Sequence, residues 1–307
     1  MSASRRDAVT GAFGFTGRAI AEQLVAAGRE VVTLTNHPKS SHGLSGRISV
    51  ASLDFGRLEA LVGALRGVDT LYNTYWVRFP RGSVSFERAL RETAVLFAAA
   101  REAGVRRVVH VSVVKADPAA PTAYVRAKAA AERMLTESGL SHAIVRPTLT
   151  FGPGDILVNN LAWTLRRLPV VGIPGDGRYP IQPVHVDDVA RLAVEAGSAA
   201  EDVTLDAAGP DTFAYRDLVE AVREAVGSRA RPVRVPPLVM LATAGLLGLA
   251  VRDIVLTRDE IRELMSGLLV SDAPPSGRIR FSDWVASNAD RLGRRYASEL
   301  VRHYARP

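Results

Sequence analysis

Three glycines near the start of the sequence have the spacing of a loop that binds nucleotide phosphates. Gly11, Gly14 and Gly17 are each separated by two residues, between a short apolar run and a helix-like segment. Glycines here let a strand turn tightly into a helix and let the backbone approach a pyrophosphate, which free N–H groups at the helix N-terminus can hold. A simple glycine turn is the alternative, but the strand before and the helix after favour a dinucleotide site. The candidate phosphate-binding residues are Thr10, Gly11, Phe13, Gly14, Phe15, Thr16 and Gly17.

Tyr124 and Lys128 stand four residues apart in a strongly helical segment, so one helix face carries both side chains. A phenol beside an ammonium suits proton transfer coupled to hydride transfer, because the phenol exchanges a proton with an alcohol or carbonyl while the cation lowers its pKa. A unit charge about 4 Å away, at a dielectric of about 20, contributes about 4 kcal/mol and brings a phenol pKa from about 10 toward about 7. A surface tyrosine and lysine is the alternative. Their place just after a central strand favours the chemical role.

The end of the second apolar run indicates which dinucleotide fits. NAD-binding loops commonly have a carboxylate about 20 residues after the glycines to hold the ribose hydroxyls. No carboxylate occurs between Glu30 and Asp54. Donors and cations that could meet a 2′-phosphate are Asn36, His37 and Lys39, with Arg18 in the glycine loop as a further counter-charge. The pattern favours NADP over NAD.

Residues after the third and fourth apolar runs extend the candidate site. Asp54 and Phe55 could meet the adenine by a hydrogen bond and by apolar packing, although a helix cap and a core aromatic explain them equally well. The fourth run ends where cofactor and substrate meet in such folds. The cofactor candidates there are Asn73 and Thr74, and the substrate-pocket candidates are Tyr75, Trp76 and Arg78.

The elements that must position these residues alternate along the chain. Short apolar runs at 8–10, 31–35, 48–51, 70–73, 108–112 and 143–146 are separated by longer helix-like segments. This alternation is typical of βαβ units, and the near-continuous apolar run 108–111 suits a parallel sheet with helices on both faces. We expect an α/β fold, a doubly wound parallel (Rossmann) sheet with a smaller C-terminal lobe. The expected dinucleotide-binding domain covers 1–155, with 180–210 returning to it, and the lobe covers 156–179 and 211–307.

Composition excludes several classes of protein. The 307 residues are 47% hydrophobic, enough for a sizeable core, which excludes a disordered chain. Without cysteine there are no disulfides or thiolate metal sites, and because the six histidines are dispersed we expect no metal. The net charge of +7 comes from scattered arginines, so we expect no nucleic-acid partner. The short polar N-terminus leaves no room for a signal peptide, and the expected location is the cytoplasm.

Residues 237–251 form an uncharged segment in the last third of the chain. It is shorter than the roughly 18 apolar residues typical of a spanning helix, so we expect no integral membrane span. A buried or amphipathic helix of the lobe is the favoured interpretation, with a dimer contact or a membrane-surface contact as the alternative. The C-terminal lobe is also the candidate surface for a homodimer or a protein partner.

The glycine loop, the Tyr124 and Lys128 pair and two later motifs together resemble the atypical, extended branch of the short-chain dehydrogenase/reductase superfamily. The later motifs are Arg146-Pro147 followed by Phe-Gly-Pro-Gly at 151–154, and Gln-Pro-Val-His-Val-Asp-Asp-Val-Ala at 182–190. The resemblance covers about residues 7–225. It implies that Tyr124 is the acid/base, that Lys128 binds the nicotinamide ribose and lowers the pKa of the tyrosine, and that Pro147 lies near the nicotinamide.

One position departs from that family's pattern. Its enzymes usually end the fifth strand in a serine pair whose second member helps to hold the substrate oxygen, but here Ser112 is followed by Val113. The two side chains point to opposite faces because strand residues alternate. Ser112 stays the catalytic candidate, with Thr122 as a substitute. The Val-Ser ending is similar to that of the NAD(P)-binding accessory subunit of respiratory complex I, one of the branch members that, like nitrogen-repressor type regulators, bind the cofactor without turnover.

Two functions are therefore expected. The first is an NAD(P)-dependent oxidoreductase, or an epimerase or dehydratase of the same type, that acts on a small carbonyl or alcohol. The second is a non-catalytic NADP(H)-binding sensor or structural protein that presents its C-terminal lobe to a protein partner. The tyrosine and lysine favour the first, whereas Val113 and the apolar segment 237–251 favour the second.

Overall fold

The computed structural model describes residues 5–36, 43–44 and 46–304. The strands are β1 (Arg6–Thr10), β2 (Glu30–Thr35), β3 (Ser49–Ser52), β4 (Thr70–Asn73), β5 (Arg107–Val111), β6 (His142–Pro147), β7 (Leu149–Phe151), β8 (Val170–Pro174), β9 (Pro180–Ile181), β10 (Pro183–His185), β11 (Val203–Ala207), β12 (Phe213–Ala214) and β13 (Arg231–Val235). The helices are α1 (Phe15–Ala26), α2 (Leu58–Leu65), α3 (Phe86–Glu102), α4 (Ala123–Thr136), α5 (Leu157–Arg167), α6 (Val186–Ser198), α7 (Tyr215–Ala225), α8 (Pro237–Val251), α9 (Arg258–Met265), α10 (Phe281–Ser287) and α11 (Glu299–Tyr304).

The chain divides into two compact units. Unit 1 comprises Met1–Pro147 and Val186–Ala207, and unit 2 comprises Thr148–His185 and Ala208–Pro307. Every residue of the candidate site proposed from the sequence belongs to unit 1.

Unit 1 is built on a seven-stranded parallel sheet in the order β11-β6-β5-β4-β1-β2-β3. Strands β1 and β5 carry apolar side chains that are fully buried, as expected for a parallel sheet covered on both faces. On one face, residues of α2, α3 and α4 such as Leu61, Leu96 and Leu135 pack against Val108 and Ile144. The α/β fold with a doubly wound parallel sheet is confirmed.

The opposite face of this sheet is covered by α1 and α6, which pack against each other. The fit there is close, because a Cβ on Gly197 in α6 would overlap the ring of Tyr72 in β4. Arg107 is fully buried on this side and donates to the carbonyl oxygen of Ala196 at 2.8 Å. Helices on both faces leave the carboxyl edge of the sheet as the open end of unit 1.

Unit 2 consists of helices and three two-stranded sheets, β10 with β7, β12 with β9, and β13 with β8. Its core is aromatic, with the ring of Phe151 at 5.0 Å from that of Phe281 and 5.3 Å from that of Trp284. The aliphatic residues of α7, Leu218 and Val222 among them, complete this core.

Helix α8 corrects one expectation from the sequence. Residues Pro237–Val251 are helical, but the expectation of a buried helix is wrong, because only Ala244 and Gly248 are buried. Leu238 and Leu249 are 75% and 79% exposed. Within the described residues, no helix is long and apolar enough to cross a membrane.

Candidate functional site

The loops after β1 and β4 meet at the carboxyl edge of the unit 1 sheet. Strand β1 pairs with β2 on one side and with β4 on the other, so the strand order reverses direction at β1. In open α/β sheets the loops diverge at this point and form the crevice in which ligands bind. The predicted glycine loop follows β1 here, and the predicted residues Asn73 and Thr74 stand at the end of β4.

The glycine loop has the backbone geometry that its sequence predicts. Gly11 has a φ of +65°, which favours glycine, and its N–H donates to the carbonyl oxygen of Leu34 at 2.9 Å. A Cβ on Gly17 would overlap the carbonyl oxygen of Gly11 and lie 2.8 Å from its carbonyl carbon. Helix α1 begins at Phe15 after Gly14, and no side chain caps it. Its N-terminal N–H groups and positive dipole end are thus available to an anion.

Thr10 ties the ends of β1 and β4 together. Its hydroxyl accepts from the N–H groups of Thr74 at 2.7 Å and Tyr75 at 3.0 Å, and donates to Oδ1 of Asn73 at 3.2 Å. The Thr74 hydroxyl in turn donates to the carbonyl oxygen of Thr10 at 2.5 Å. Thr10 and Asn73 are fully buried, so their side chains hold the two loops in register and do not form the crevice surface.

His110 on β5 extends this network and was missed by the sequence analysis. Nδ2 of Asn73 donates to Nδ1 of His110 at 3.0 Å, which places the ring hydrogen on Nε2. Burial, and then the charge of Lys128, hold the pKa of His110 well below its ordinary value, so the ring is neutral. Its Nε2 atom is buried without a hydrogen-bond partner. The only signal in the sequence was a polar residue inside an apolar strand.

Lys128 is enclosed at the other end of the crevice. Its ammonium donates to the carbonyl oxygen of Val111 at 2.9 Å and lies 4.3 Å from the ring centroid of Trp76, within cation–π range. The residue is 3% exposed, and this burial lowers its pKa to about 7 from an ordinary value of 10.5, against the smaller opposing effect of Glu132. Lys128 is therefore close to its titration midpoint at neutral pH.

Glu132 is a second residue that the sequence analysis missed. It lies one turn after Lys128 on α4 and forms an ion pair with Arg146 of β6, whose Nε donates to Oε1 of Glu132 at 2.9 Å. Because the positive charge of Arg146 offsets the negative charge of Glu132, Glu132 stabilises the ammonium of Lys128 only in part. The signal in the sequence was the continued spacing of four, from Tyr124 to Lys128 to Glu132.

Tyr124 lies at the start of α4, partly exposed, with its ring edge-on to Phe86 at 6.0 Å between centroids. Thr122, the N-cap residue of α4, is fully buried. The carbonyl oxygen of Pro147 accepts from the N–H of Val114 at 2.9 Å, so the loop after β5 is fixed to the end of β6. These contacts bring the helix with Tyr124 and Lys128 to the same sheet edge as the glycine loop.

Two buried polar atoms at this edge have no hydrogen-bond partner. Ser112 directly follows β5, its N–H donates to the carbonyl oxygen of Val145 at 2.8 Å, and its hydroxyl is buried and unpartnered. The indole Nε1 of Trp76 is likewise buried and unpartnered. Burying a polar group without a partner is costly, and a ligand that accepted hydrogen bonds from these two groups would remove that cost.

The β3 and β4 loops form the other flank of the crevice. The rings of Phe55 and Tyr75 lie 4.8 Å apart, and the Tyr75 hydroxyl donates to Glu92 of α3. Burial and this bond raise the pKa of Tyr75. Asp54 accepts from the N–H of Gly56 at 3.0 Å, which shapes the turn. An open surface depression of about 310 Å³ is lined by Phe55, Gly56, Arg88, Arg91, Glu92 and Val95.

The remaining predicted residues are less constrained. Phe13, Gly14, Phe15 and Thr16 lie on the loop surface with intermediate or full exposure. Asn36 is exposed at the end of β2, whereas His37 and Lys39 lie outside the described residues. Arg78 lies over the ring of Phe79 at 6.0 Å. In the part of the chain that the structure describes, no three histidine or acidic side chains are grouped to hold a metal ion.

The crevice thus fits a dinucleotide by its glycine geometry, its uncapped helix and its unpartnered donors. A family model described as NAD(P)H-binding matches residues 11–165, just over half of the chain. The chain belongs to this NAD(P)H-binding family. NAD(P)H binding follows from this match.

The chain is also similar to individual proteins, two by sequence and one by structure. NADH dehydrogenase 1 alpha subcomplex subunit 9 of Arabidopsis thaliana is 26% identical over 294 residues, 90% of this chain and 72% of that protein. The ceramide reductase of Caulobacter vibrioides is 27% identical over 244 residues, 78% of this chain and 76% of that protein. The triphenylmethane reductase of Citrobacter sp. superposes with a TM-score of 0.77 at 16% identity, over 93% of this chain and 99% of that one. The resemblance to the extended short-chain dehydrogenase/reductase branch is confirmed.

Proposed function

We propose that this NAD(P)H-binding protein is an oxidoreductase that acts on a small carbonyl or alcohol, with Tyr124 as the acid/base and Lys128 as the residue that binds the nicotinamide ribose. The observation that carries the proposal is the pair of unpartnered buried donors, the Ser112 hydroxyl and the Trp76 indole, beside the enclosed ammonium of Lys128. Tyr72 also has a buried hydroxyl without a partner, so the two donors support the proposal by their position beside Lys128 and not by the missing partners alone.

In this proposal each side chain has a separate task. The nicotinamide, when bound, supplies or accepts the hydride. The Tyr124 phenol gives a proton to the substrate oxygen or takes it back, and the Ser112 hydroxyl donates a hydrogen bond to that oxygen. Lys128, at its midpoint in the free protein, gains charge when an anionic cofactor is near, because a nearby negative charge favours the ammonium. The charged lysine then stabilises the phenolate form of Tyr124.

We propose NADP as the preferred cofactor. No carboxylate lies between Glu30 and Asp54 to hold the ribose hydroxyls or repel a 2′-phosphate, and Asn36 is exposed at the end of β2. The same Citrobacter triphenylmethane reductase was solved in complex with NADP(H), with a TM-score of 0.74 to this chain. Phe55 and the depression beside it are the proposed contact for the adenine.

A second candidate function is a non-catalytic NADP(H)-binding protein that presents unit 2 to a protein partner. Two observations favour it. Val113 stands where enzymes of the branch have a serine, and the uncharged helix α8 of unit 2 is largely exposed. The Arabidopsis relative is named as a subunit of a larger complex.

Fluorescence titration with NADPH and NADH, followed by a panel of aldehydes, ketones and quinones read at the nicotinamide absorbance, separates the two candidates. Turnover that Tyr124→Phe lowers by about 100-fold or more, with NADPH affinity within about threefold, is expected if the phenol is the acid/base. The matched control is Tyr72→Phe, whose buried hydroxyl has no hydrogen-bond partner and which packs against α6. Tight NADPH binding without turnover of any compound would instead support the non-catalytic candidate.

A further inference from the structure

Helix α8 of unit 2 is an uncharged helix that faces solvent on most of its surface. Its 15 residues include no Asp, Glu, Lys or Arg. Leu238, Leu246 and Leu249 are 75%, 68% and 79% exposed. A contiguous apolar surface of this kind on a soluble unit marks an interaction site.

The one hydroxyl of α8 and part of its terminal backbone have local hydrogen-bond partners. The hydroxyl of Thr243 donates to the carbonyl oxygens of Val239 and Met240 at 3.0 Å each. Pro236 and Pro237 stand at its N-terminus, where a proline has no N–H group to leave unpaired. At the other end, the N–H of Asp253 donates to the carbonyl oxygen of Gly248 at 3.0 Å. These bonds lower the cost of moving the helix into the interface of a bilayer.

The helix is fixed to unit 2 by its two buried positions and its C-terminal turn. A Cβ on Gly248 would lie 2.6 Å from the carbonyl oxygen of Asp253, so helix and following turn are in close contact. The Asp253 carboxylate accepts from the Tyr296 hydroxyl at 2.9 Å and from the N–H of Leu300 at 3.0 Å. The exposed leucines therefore lie on a helix whose buried positions and C-terminal turn are packed within unit 2.

Arginines surround α8 on both sides in sequence. Five exposed arginines, at positions 229, 231, 234, 252 and 258, lie within the segment 229–258, whose one acidic residue, Asp253, is buried. Among the described residues these five arginines form no ion pair. An exposed apolar helix flanked in sequence by unpaired cations complements the acyl chains and phosphates of anionic lipids.

We propose that α8 is a membrane-surface anchor, which lies in the interface of a bilayer that contains anionic lipids. A 15-residue helix is about 22 Å long at about 1.5 Å per residue, less than the roughly 30 Å hydrocarbon thickness, so it lies on the membrane and does not span it. A second copy of the chain is the less suitable occupant. A two-fold contact through α8 would bring the same five unpaired arginines of each copy together.

Depth in the bilayer is tested directly by labelling, because the chain has no cysteine. Leu249→Cys carries a nitrobenzoxadiazole probe, and Leu58→Cys at the exposed start of α2 is the matched control. With vesicles of phosphatidylcholine and phosphatidylglycerol at 7:3, the Leu249 probe is expected to shift to the blue and to be quenched by spin-labelled lipids, whereas the Leu58 probe stays unchanged. Equal responses at the two positions would overturn the proposal.

Vesicle flotation tests the roles of apolar surface and charge. Leu246→Glu with Leu249→Glu is expected to lower partitioning by about tenfold or more, because two exposed leucines no longer enter the interface. Arg231→Gln with Arg234→Gln is expected to lower it by about tenfold at low salt, with the difference vanishing at 0.5 M salt. Binding to pure phosphatidylcholine as strong as to the mixture would overturn the anionic preference. A dimer by light scattering that the two glutamates dissociate, without any vesicle binding, would overturn the anchor.

Discussion

The glycine loop and the Tyr124–Lys128 end of the same crevice are built by different physical means. The loop, residues 10–17, relies on backbone: a positive φ at Gly11, a close approach at Gly17 and an uncapped helix. The other end relies on side chains: a buried ammonium, an aromatic face over it and two donors without partners. Both belong to unit 1.

The two ends differ in how burial and missing hydrogen-bond partners affect the stability of the free protein. In the glycine loop the N–H groups of Gly11 and Gly14 donate to carbonyl oxygens, and the uncapped N-terminus of α1 is partly exposed, so water can reach it before a ligand binds. The Tyr124–Lys128 end is destabilised without ligand, since Lys128 loses hydration and the Ser112 hydroxyl lacks a partner. The unpaired polar groups of the second end therefore lower the stability of the free protein, and a ligand that pairs with them gains affinity. Active sites commonly lose stability in this way in return for function.

The largest expected effect is steric. Gly17→Ala adds a Cβ that overlaps the carbonyl oxygen of Gly11, so the loop must open. We expect NADPH affinity to fall by about 100-fold and the free energy of unfolding to fall by about 1–3 kcal/mol, as for other overpacked sites. Fluorescence titration and urea denaturation measure the two quantities.

Gly63→Ala is the matched control for that substitution. Gly63 lies within α2, and a Cβ there meets nothing within 4 Å. Alanine should stabilise this helix slightly and leave cofactor affinity unchanged. If Gly17→Ala binds NADPH as tightly as Gly63→Ala does, the close approach at the loop has no part in binding.

Removing the buried charge of Lys128 is expected to raise the free energy of unfolding and to lower the affinity for NADPH. Lys128→Met keeps an unbranched side chain and removes the desolvated ammonium, so we expect the free energy of unfolding at pH 7 to rise by about 1–3 kcal/mol while NADPH affinity falls by about tenfold or more. A loss of both stability and affinity would contradict the assignment of burial as the dominant effect. Arg133→Met, an exposed cation on the same helix, is the control.

The pH dependence of Lys128 has a defined sign. Its folded pKa of about 7 lies below the ordinary 10.5, so between these values the unfolded chain binds more protons and the wild type gains stability as pH rises. The stability gap to Lys128→Met should be widest below about pH 7 and close toward pH 10.5. Because an anionic cofactor favours the ammonium, wild-type NADPH affinity should fall above about pH 7, and the variant should lose this slope.

The same difference explains what could be predicted from the sequence. The strand at 70–73 was predicted with the bounds that the structure gives, and that at 108–112 was displaced by one residue from Arg107–Val111. Strand boundaries and glycine conformations follow from local apolar runs and from the absence of a Cβ. The doubly wound parallel class of the sheet followed from the alternation of strands and helices, whereas the strand order is known only from the structure.

Contacts between distant residues could not be predicted. Trp76 and Lys128 are far apart in sequence, and the stacking that helps to bury the ammonium depends on how the β4 loop packs against α4. The exposure of α8 could not be predicted from the sequence for a related reason. When every side of a helix is apolar, its periodicity does not indicate which side is buried, and composition alone predicts a buried helix.

The smallest expected effect comes from removing one unpartnered donor, the indole N–H of Trp76. Trp76→Phe keeps an aromatic face over Lys128 but removes the indole N–H, so the free protein should be unchanged or stabilised by up to about 1 kcal/mol, because a buried donor without a partner is lost. If a ligand accepts from that N–H, its affinity should fall by about tenfold, the equivalent of one hydrogen bond. Trp163→Phe is the control, since Arg167 lies 4.7 Å over that ring in a similar cation–π contact in unit 2. Unchanged affinity for NADPH and for every substrate found would show that the Trp76 indole only covers the lysine. The Ser112 hydroxyl would then be the one donor of the two from which a ligand accepts a hydrogen bond.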